Sequence, residues 1–128
     1  MGINWDKVQF FTRAELSCRC GCGMEPDPDL VEDLEAARAR ARVPFPVTSC
    51  ARCLAHNSAA GGVPDSAHMK GLAVDIVFKS SADMFEGVTA LIAGGFDRFV
   101  FYPGHRIHVD EDPAKPAPMM KVKRETKP

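Results

Sequence analysis

The sequence predicts a small single α+β domain in which helices pack on an antiparallel sheet. Two segments repeat apolar residues at helical spacing, and several short β-prone runs, two of them joined by a tight turn, supply the strands. With 128 residues, 45% of them hydrophobic and 26% charged, the chain suits one compact domain. We place this domain at residues 1–112 and a disordered tail at 113–128, where Pro and Lys accumulate and the apolar period ends.

The first predicted helix spans residues 29–42. Acidic residues lie near its start and arginines near its end, as the helix dipole favours, and Pro44 stops it. This charge order explains the arginines without nucleic-acid binding. A short strand is expected at residues 45–49 and a loop at 50–66, which is rich in small residues. The helix's apolar stripe consists of Leu30, Leu34, Ala37 and Ala41.

The second half of the domain alternates strand and helix. A strand is predicted at residues 72–78 and a helix at 81–93, which Gly94 and Gly95 end. Two further strands, at 99–102 and 106–110, form a hairpin around a three-residue turn. Alternation along the strands predicts that each of two strands places polar residues on one face. The residues that share a face are Ala73, Asp75 and Val77 on the first strand, and Arg106, His108 and Asp110 on the second.

Composition excludes several classes of function. Sixteen basic and seventeen acidic residues leave a formal charge of -1, so no global field attracts nucleic acid or an anionic membrane. No apolar run approaches the roughly 18 residues that cross a bilayer, which argues against membrane insertion. The N-terminus lacks the basic start and apolar core of a secretory signal. We therefore expect a monomer made in the cytoplasm that binds its substrate through a local site.

Three dispersed polar residues form a candidate metal site. His68 lies just ahead of a predicted strand, Asp75 lies inside that strand, and His108 lies on a later strand. An Asp in an apolar strand is costly without a partner, and a metal ion would supply one. Two imidazoles and one carboxylate are the ligands of many catalytic zinc sites, where a water takes the fourth position. Such an ion acidifies the water and polarises a carbonyl, which indicates hydrolysis of an amide or ester.

The sequence around these residues resembles the M15 zinc peptidases. The pattern Ser-x-His-x-x-Gly-x-Ala-x-Asp-Ile at residues 66–76 and His-Val-Asp at 108–110 is similar to the branch of D-Ala-D-Ala carboxypeptidase-like domains (subfamily A) and phage endolysin domains. That branch cuts peptidoglycan peptides. Two upstream segments resemble the same family in the same order: Phe-Thr-Arg-Ala-Glu-Leu-Ser-Cys at 11–18, and Thr-Ser-Cys-Ala-Arg with His-Asn at 48–57.

The resemblance implies a zinc ion on the sheet face and a set of roles for individual residues. His68, Asp75 and His108 would be the zinc ligands. Arg52 would pair with a substrate carboxylate or hold the carbonyl oxygen, a task that suits the fixed fork of a guanidinium. Ser66 would lie beside the metal and orient a ligand or the substrate.

The general base is less well defined by the resemblance. Several family members place Asp or Glu three residues before the last His ligand, where this chain has His105. Asp110 matches the His-x-Asp of the closer branch and shares a strand face with His108. We name Asp110 first and His105 second as the residue that moves protons. Either could instead hold the ring nitrogen of a ligating His.

Five cysteines form two clusters in the sequence. Their spacings, Cys-x-Cys-x-Cys and Cys-x-x-Cys, fit a structural zinc site built from four thiolates. They also fit one or two disulfides that tie the N-terminal segment to the loop carrying Arg52. The first spacing is tighter than in usual zinc knuckles, so we favour disulfides formed after export. The residues concerned are Cys18, Cys20, Cys22, Cys50 and Cys53.

These observations together predict a zinc-dependent peptidoglycan peptidase. It would hydrolyse an amide bond of the stem peptide or cross-link, as a murein endopeptidase or a D-Ala-D-Ala carboxypeptidase. The small size and the lack of a visible signal favour a bacteriolytic phage enzyme that reaches the periplasm or cell wall through a holin. The alternative is a non-catalytic zinc-binding module with an M15-like fold. An open cleft at the metal favours catalysis, whereas a fourth protein ligand or a blocked cleft favours the module.

Overall fold

The computed structural model describes residues 2–124, and within them the fold is α+β, as predicted. No helix in this part is both long and apolar enough to cross a membrane. Two short 3₁₀ helices, at Trp5–Lys7 and Ala67–Lys70, accompany the main elements. In chain order these are α1 (Arg13–Leu16), α2 (Pro28–Arg40), β1 (Val47–Ser49), α3 (Leu54–Ala59), β2 (Ala73–Val77), α4 (Ser81–Ala93), β3 (Arg98–Tyr102), β4 (Arg106–Asp110) and β5 (Met119–Val122).

The strands form one mostly antiparallel sheet in the order β1-β2-β4-β3-β5. Only the outer pair, β3 and β5, runs parallel among the strands of the described residues. The predicted hairpin is present, with Gly104 and His105 at positive φ in its turn. In the centre of the sheet Asp75 of β2 pairs with His108 of β4, and His108 pairs with Val100 of β3. The register therefore places both polar positions on one face, as the alternation predicted.

The opposite face of the sheet packs against the two long helices. Asp27 caps α2 by accepting the amide of Asp29 at 2.8 Å, and Pro28 occupies its first turn. Because α2 and α4 together cover this face, they leave the polar face, which carries Asp75 and His108, uncovered. The hydrophobic core lies between the sheet and the two helices. Its buried side chains include Leu30, Leu34, Val74, Ile76, Leu91, Phe99, Ile107 and Val109.

The stretch predicted as a loop contains a short helix. Cys53 caps α3 through its sulfur, which accepts the amide of His56 at 3.4 Å. Cysteine is an unusual cap, so composition alone gave no signal for this helix. Gly71 then returns the chain into β2 at φ 70°, where a Cβ atom would lie 2.8 Å from the backbone nitrogen of Asp27. Only glycine suits both that backbone conformation and that close approach.

The segment predicted to be a disordered tail from residue 113 contains a strand, β5, so the prediction is wrong for Met119–Val122. Met119 donates its amide to Asp97 at 2.7 Å, and Lys123 donates to Phe101 at 2.9 Å, which adds β5 to the edge of the sheet. The strand escaped prediction because it is a four-residue edge strand in a segment rich in Pro and Lys, and its apolar residues Met120 and Val122 are exposed. The sheet thus extends past residue 112. Residues 125–128 of the predicted tail lie outside the described residues.

Candidate active site

Three side chains named from the sequence converge on the polar face of the sheet. His68 Nε2 lies 3.2 Å and His108 Nδ1 lies 3.1 Å from the same oxygen, Oδ1 of Asp75. One ligand atom from each residue lies within 4.8 Å of the other two. His68 and Asp75 are buried, while the side chain of His108 keeps 14% of its exposure. Access to the centre is therefore from the side of His108.

Local structure explains how each residue reaches this point. Asp75 and His108 are register partners on neighbouring central strands, so their side chains emerge side by side. His68 comes from the 3₁₀ helix that precedes β2. Ser66 caps this helix by accepting the amide of His68 at 3.2 Å, and Gly71 ends it. Ser66, which the sequence analysis placed beside the metal, thus holds the backbone of His68 in position.

Both imidazoles have their tautomers fixed by a second partner. His68 Nδ1 lies 2.6 Å from the carbonyl oxygen of Cys50, which can only accept, so Nδ1 carries the proton. His108 Nε2 lies 2.7 Å from Oδ2 of Asp110, which likewise accepts. In the neutral imidazoles the lone pairs of His68 Nε2 and His108 Nδ1 consequently face the centre, whereas protonated His108 donates from Nδ1 to Asp75 Oδ1. This arrangement, a ligating nitrogen aimed at the centre with its partner nitrogen donating outward, is typical of metal-binding histidines.

Asp110 is committed to neighbouring protein groups. Its Oδ1 accepts from Arg98 Nε at 2.8 Å and from the amide of Asp112 at 3.0 Å, while its Oδ2 accepts from His108. Arg98 also donates to the carbonyl of Pro116. The structure therefore gives Asp110 the geometry of a residue that orients His108. The role of general base, for which the sequence named it first, stays a prediction.

Arg52 is buried beside the three converging residues, with 2% of its surface exposed. Its guanidinium donates to Asp75 Oδ2 at 3.2 Å, to Asn57 Oδ1 at 3.2 Å and to Ser49 Oγ at 2.9 Å. Asp75 thus presents Oδ1 to the histidines and Oδ2 to Arg52. These contacts make Arg52 a partner of Asp75, whereas its predicted contact with a substrate carboxylate is untested.

His105 lies outside the site. It occupies the β3–β4 turn with φ 61°, and its Nε2 lies 3.1 Å from Oγ of Ser81 at the start of α4. Its carbonyl accepts the amide of Phe78, beyond the end of β2. It precedes β4 and lies three positions before His108, a span of roughly 10 Å in extended chain. The structure corrects the suggestion that His105 acts at the metal centre, because its side chain is held at the far end of the strand.

Asp75, Asp110 and the half-buried His108 stabilise one another's charged forms. Burial alone would raise the pKa of Asp75, but its interactions with His108 and then with His68 outweigh burial and hold that pKa well below its ordinary value. Burial would lower the pKa of His108, but the bonds to Asp110 and Asp75 raise it to about 8. The pKa of Asp110 falls to about 2 despite burial, because His108, the amide of Asp112 and Arg98 all donate to it. Both carboxylates are therefore ionised at neutral pH.

A cavity of about 170 Å³ lies over His68 and His108. Among the described residues, the cluster contains no fourth His, Cys, Asp or Glu, so the open-cleft arrangement that favours catalysis is the one observed. One wall comes from β5 and its flanks, the segment predicted to be disordered. The cationic side chains that line the cavity are Arg52, Arg98, Lys115, Lys121 and Lys123.

The cysteines are free thiols, so the disulfides favoured from the sequence are absent from residues 2–124. The sulfurs of Cys18 and Cys20 are 3.3 Å apart and those of Cys20 and Cys53 are 3.5 Å apart. A disulfide needs about 2.05 Å. Cys22 joins these three in one cluster, whereas Cys50 is buried apart from them and contributes its carbonyl to His68.

Sequence reasoning missed several partners of the site. Asn57 was part of the quoted His-Asn segment, but its buried contact with Arg52 had no signal of its own. Arg98 could not be paired with Asp110 until the register of β3 against β4 was known. Lys121 and Lys123 lay in the segment assigned to a disordered tail. Each is a long-range relationship that residue spacing along the chain does not encode.

The fold and site together define a class of protein: a small α+β domain with a His-Asp-His centre suited to a divalent cation, open to a cavity on a mostly antiparallel sheet. Residues 9–110 match the family model described as Peptidase M15. Because this match covers most of the chain, the protein belongs to peptidase family M15. The sequence resemblance to that family is confirmed.

A solved structure shows the same fold. The crystal structure of the L-Ala D-Glu endopeptidase ChiX from Serratia marcescens matches with a TM-score of 0.52 and 21% sequence identity. The match covers 84% of this chain and 95% of the ChiX chain. Comparison with curated protein sequences finds no match.

Proposed function

We propose that this protein is a zinc-dependent peptidase that hydrolyses an amide bond in peptidoglycan stem peptides or their cross-links. The observation that carries the proposal is the convergence of two imidazole nitrogens and one carboxylate oxygen at the floor of an open cavity. Membership of a peptidase family supports hydrolysis of an amide. The likeness in fold to an L-Ala D-Glu endopeptidase supports a cell-wall peptide as substrate.

The donor set fits the cation that the family implies. His68 Nε2, Asp75 Oδ1 and His108 Nδ1 would hold it, and two neutral imidazoles with one carboxylate suit zinc in a catalytic site. When bound, zinc acidifies a water and polarises a carbonyl oxygen, which is the chemistry that amide hydrolysis needs. The outward donations of His68 to Cys50 and of His108 to Asp110 keep both ligating lone pairs aimed at the centre.

The surrounding residues hold these ligands in place. Arg52 binds Asp75 Oδ2, which leaves Oδ1 directed towards the two imidazoles. Arg98 neutralises Asp110, so the carboxylate that orients His108 is itself fixed from a third strand. Ligands restrained by such partners need little reorganisation when the substrate arrives.

The charge of the cavity fits an acidic peptide. Lys121 of β5 is the register partner of Val100, which is itself the partner of His108, so Lys121 lies two strands from the centre, roughly 10 Å away. Lys115 and Lys123 line the same cavity. Peptidoglycan stem peptides carry free carboxylates, which ammonium groups at this distance can bind while the scissile amide lies at the centre.

Digestion of purified murein tests the proposal. Zinc-loaded protein should release new amine and carboxyl ends, and mass spectrometry of the muropeptides identifies the bond: free D-Ala indicates a carboxypeptidase, whereas cleaved stems or cross-links indicate an endopeptidase. His68→Ala should abolish the product, and Lys79→Glu, an exposed change away from the cavity, should not. Absence of product across several metals and pH values would exclude the peptidase function. A lytic role in phage infection stays a prediction, tested by adding the protein to cells stripped of their outer membrane.

A further inference from the structure

We propose that Cys18, Cys20, Cys22 and Cys53 bind a structural zinc ion as thiolates, at a site separate from the His68, Asp75 and His108 centre. This inference is independent of the proposed peptidase function. One sulfur from each cysteine lies within 4.8 Å of the other three. Zinc–sulfur bonds of about 2.3 Å in a tetrahedron place sulfurs roughly 3.8 Å apart. The observed separations of 3.3 and 3.5 Å are close to that distance and well beyond a disulfide bond.

The backbone of residues 18–24 has the shape that such a site needs. Cys18 donates its amide to the carbonyl of Met24 at 2.8 Å, which closes the loop. Gly21 and Gly23 both adopt positive φ, at 84° and 88°, on either side of Cys22. No Cβ clash forces glycine at either position, so the turn itself is what requires them. These turns bring three sulfurs of one short segment to the same side.

Burial does not explain the cluster. Cys20 and Cys22 are exposed, so the hydrophobic packing that commonly accounts for unpaired cysteines does not hold this loop together. Four ionised sulfurs at these separations would repel one another without a cation between them. A bound metal ion supplies both the cohesion and the charge, and each thiol gives its proton to solvent when it binds.

Neighbouring donors point at the sulfurs. The amide of Cys53 lies 3.4 Å from Sγ of Cys18, and the amide of His56 lies 3.4 Å from Sγ of Cys53. The Nδ1 of His56 lies 3.2 Å from Sγ of Cys18, where an N–H on that nitrogen donates to a thiolate. Hydrogen bonds to the charged form favour that form, as outer partners of metal ligands do.

The site would stabilise the wall of the catalytic cavity. Cys53 follows Arg52 directly and caps α3, while the other three proposed ligands belong to the N-terminal segment. The amide of Ala51 already donates to Leu16 across these two segments at 3.1 Å. An ion held by both would fix the position from which Arg52 reaches Asp75. Four protein ligands leave no place for water, so this ion would be structural and not catalytic.

Metal counting distinguishes the two sites. Protein purified under reducing conditions with zinc should hold two ions per chain, His68→Ala one, and Cys20→Ser with Cys22→Ser one. Ala82→Ser combined with Thr89→Ser, two exposed changes on α4 away from both sites, is the matched control and should keep two ions. Cobalt substitution of His68→Ala should give the strong sulfur-to-metal charge-transfer absorption of a tetrahedral thiolate site. That readout is independent of peptidase activity, so failure of either proposal is distinguishable from failure of the other.

A measurement on the unmodified chain covers the case in which the double serine variant does not fold. A mercurial reagent that reacts with thiols should release one of the two ions, and native mass spectrometry should show thiols and not a disulfide. Zinc content unchanged by the serine substitutions, no release by the mercurial reagent, or a mass lower by two hydrogens under non-reducing conditions would each overturn the proposal.

Discussion

Asp110 Oδ2 accepts the Nε2–H of His108 across 2.7 Å, and this bond turns Nδ1 of His108 towards Asp75. The two residues lie on the same strand face, two positions apart, so β4 supplies both a candidate ligand and the group that fixes its tautomer. The sequence left two roles open for Asp110, that of general base and that of a group holding a ligating histidine, and the observed contacts favour the second. A carboxylate that already accepts from His108, Arg98 and a backbone amide orients the ligand.

Replacing Asp110 by Asn tests this role. The amide can still accept one hydrogen bond but lacks the charge that opposes Arg98, so we expect zinc affinity at the His-Asp-His centre to fall about 10- to 100-fold. At saturating zinc, kcat should recover to near the wild-type value. Zinc titration with a chromophoric chelator, followed by kinetics on muropeptides, measures both quantities.

The control for this change is Asp97→Asn, an exposed carboxylate next to β3, which should alter neither quantity. If Asp110→Asn leaves zinc affinity unchanged but lowers kcat by several orders of magnitude, Asp110 is the general base and the orienting role is wrong.

Arg52→Lys tests the buried partner of Asp75. A lysine keeps the charge but cannot donate to Asp75, Asn57 and Ser49 at once, so we expect the free energy of unfolding to fall by about 3 kcal/mol. Because Arg52 acts through Asp75, kcat should fall while KM stays nearly constant. Urea denaturation and steady-state kinetics give the two values.

Arg42→Lys, a change of the same type on an exposed residue, should shift stability by less than about 0.5 kcal/mol. A rise in KM with unchanged kcat for Arg52→Lys would instead show that Arg52 binds a substrate carboxylate, as the family resemblance implied.

His105→Asn tests whether this turn residue acts in catalysis. Asn tolerates the left-handed backbone at φ 61°, so the turn should persist while the bond to Ser81 is lost. We expect kcat/KM within about twofold of wild type, since His105 is not among the residues that line the cavity. A loss of more than 100-fold in kcat/KM in a folded variant would show that His105 takes part in catalysis.

Local pattern predicted the central elements well because their apolar periods reflect burial against one core. The helix at Ser81–Ala93 and the strand at Arg106–Asp110 have the predicted bounds, and the strand alternation correctly paired the faces of Asp75 and His108. Where burial is not the cause of structure, the pattern failed. Strand β5 gains its order from the backbone of β3, and α3 begins at a cysteine cap.

The candidate site divides in the same way. His68, Asp75 and His108 carry chemistry in their residue types and spacing, so they could be named from the sequence. Their hydrogen-bond partners could not be named in this way. The bond from Arg98 to Asp110 depends on the register of the sheet, and the bond from His68 to the carbonyl of Cys50 involves a backbone group. The role of Asp110 is likewise a matter of three-dimensional placement, because its contacts with His108 and Arg98 depend on the fold.

The basic wall of the cavity predicts a dependence on substrate charge. Lys121→Glu combined with Lys123→Glu reverses two charges that line it, and we expect KM for an acidic stem peptide to rise roughly three- to tenfold with kcat preserved. Added salt should reduce the difference between variant and wild type, since exposed charges are screened. Lys79→Glu, on the surface away from the cavity, is the matched control. Equal KM values for variant and wild type at low salt would show that β5 takes no part in substrate binding.

Zinc affinity of the His-Asp-His centre should depend on pH through His108. Burial would lower its pKa, but the bonds to Asp110 and Asp75 raise it to about 8, so below that pH the imidazole is protonated and Nδ1 cannot bind a cation. Apparent affinity should therefore fall about tenfold for each pH unit below 8 and level off above it. Competition with a chelator from pH 6 to 9, with the His68→Ala titration subtracted to remove the cysteine site, measures this slope. In Asp110→Asn the break should move to lower pH, and an affinity constant from pH 6 to 8 in the wild type would contradict the coupling.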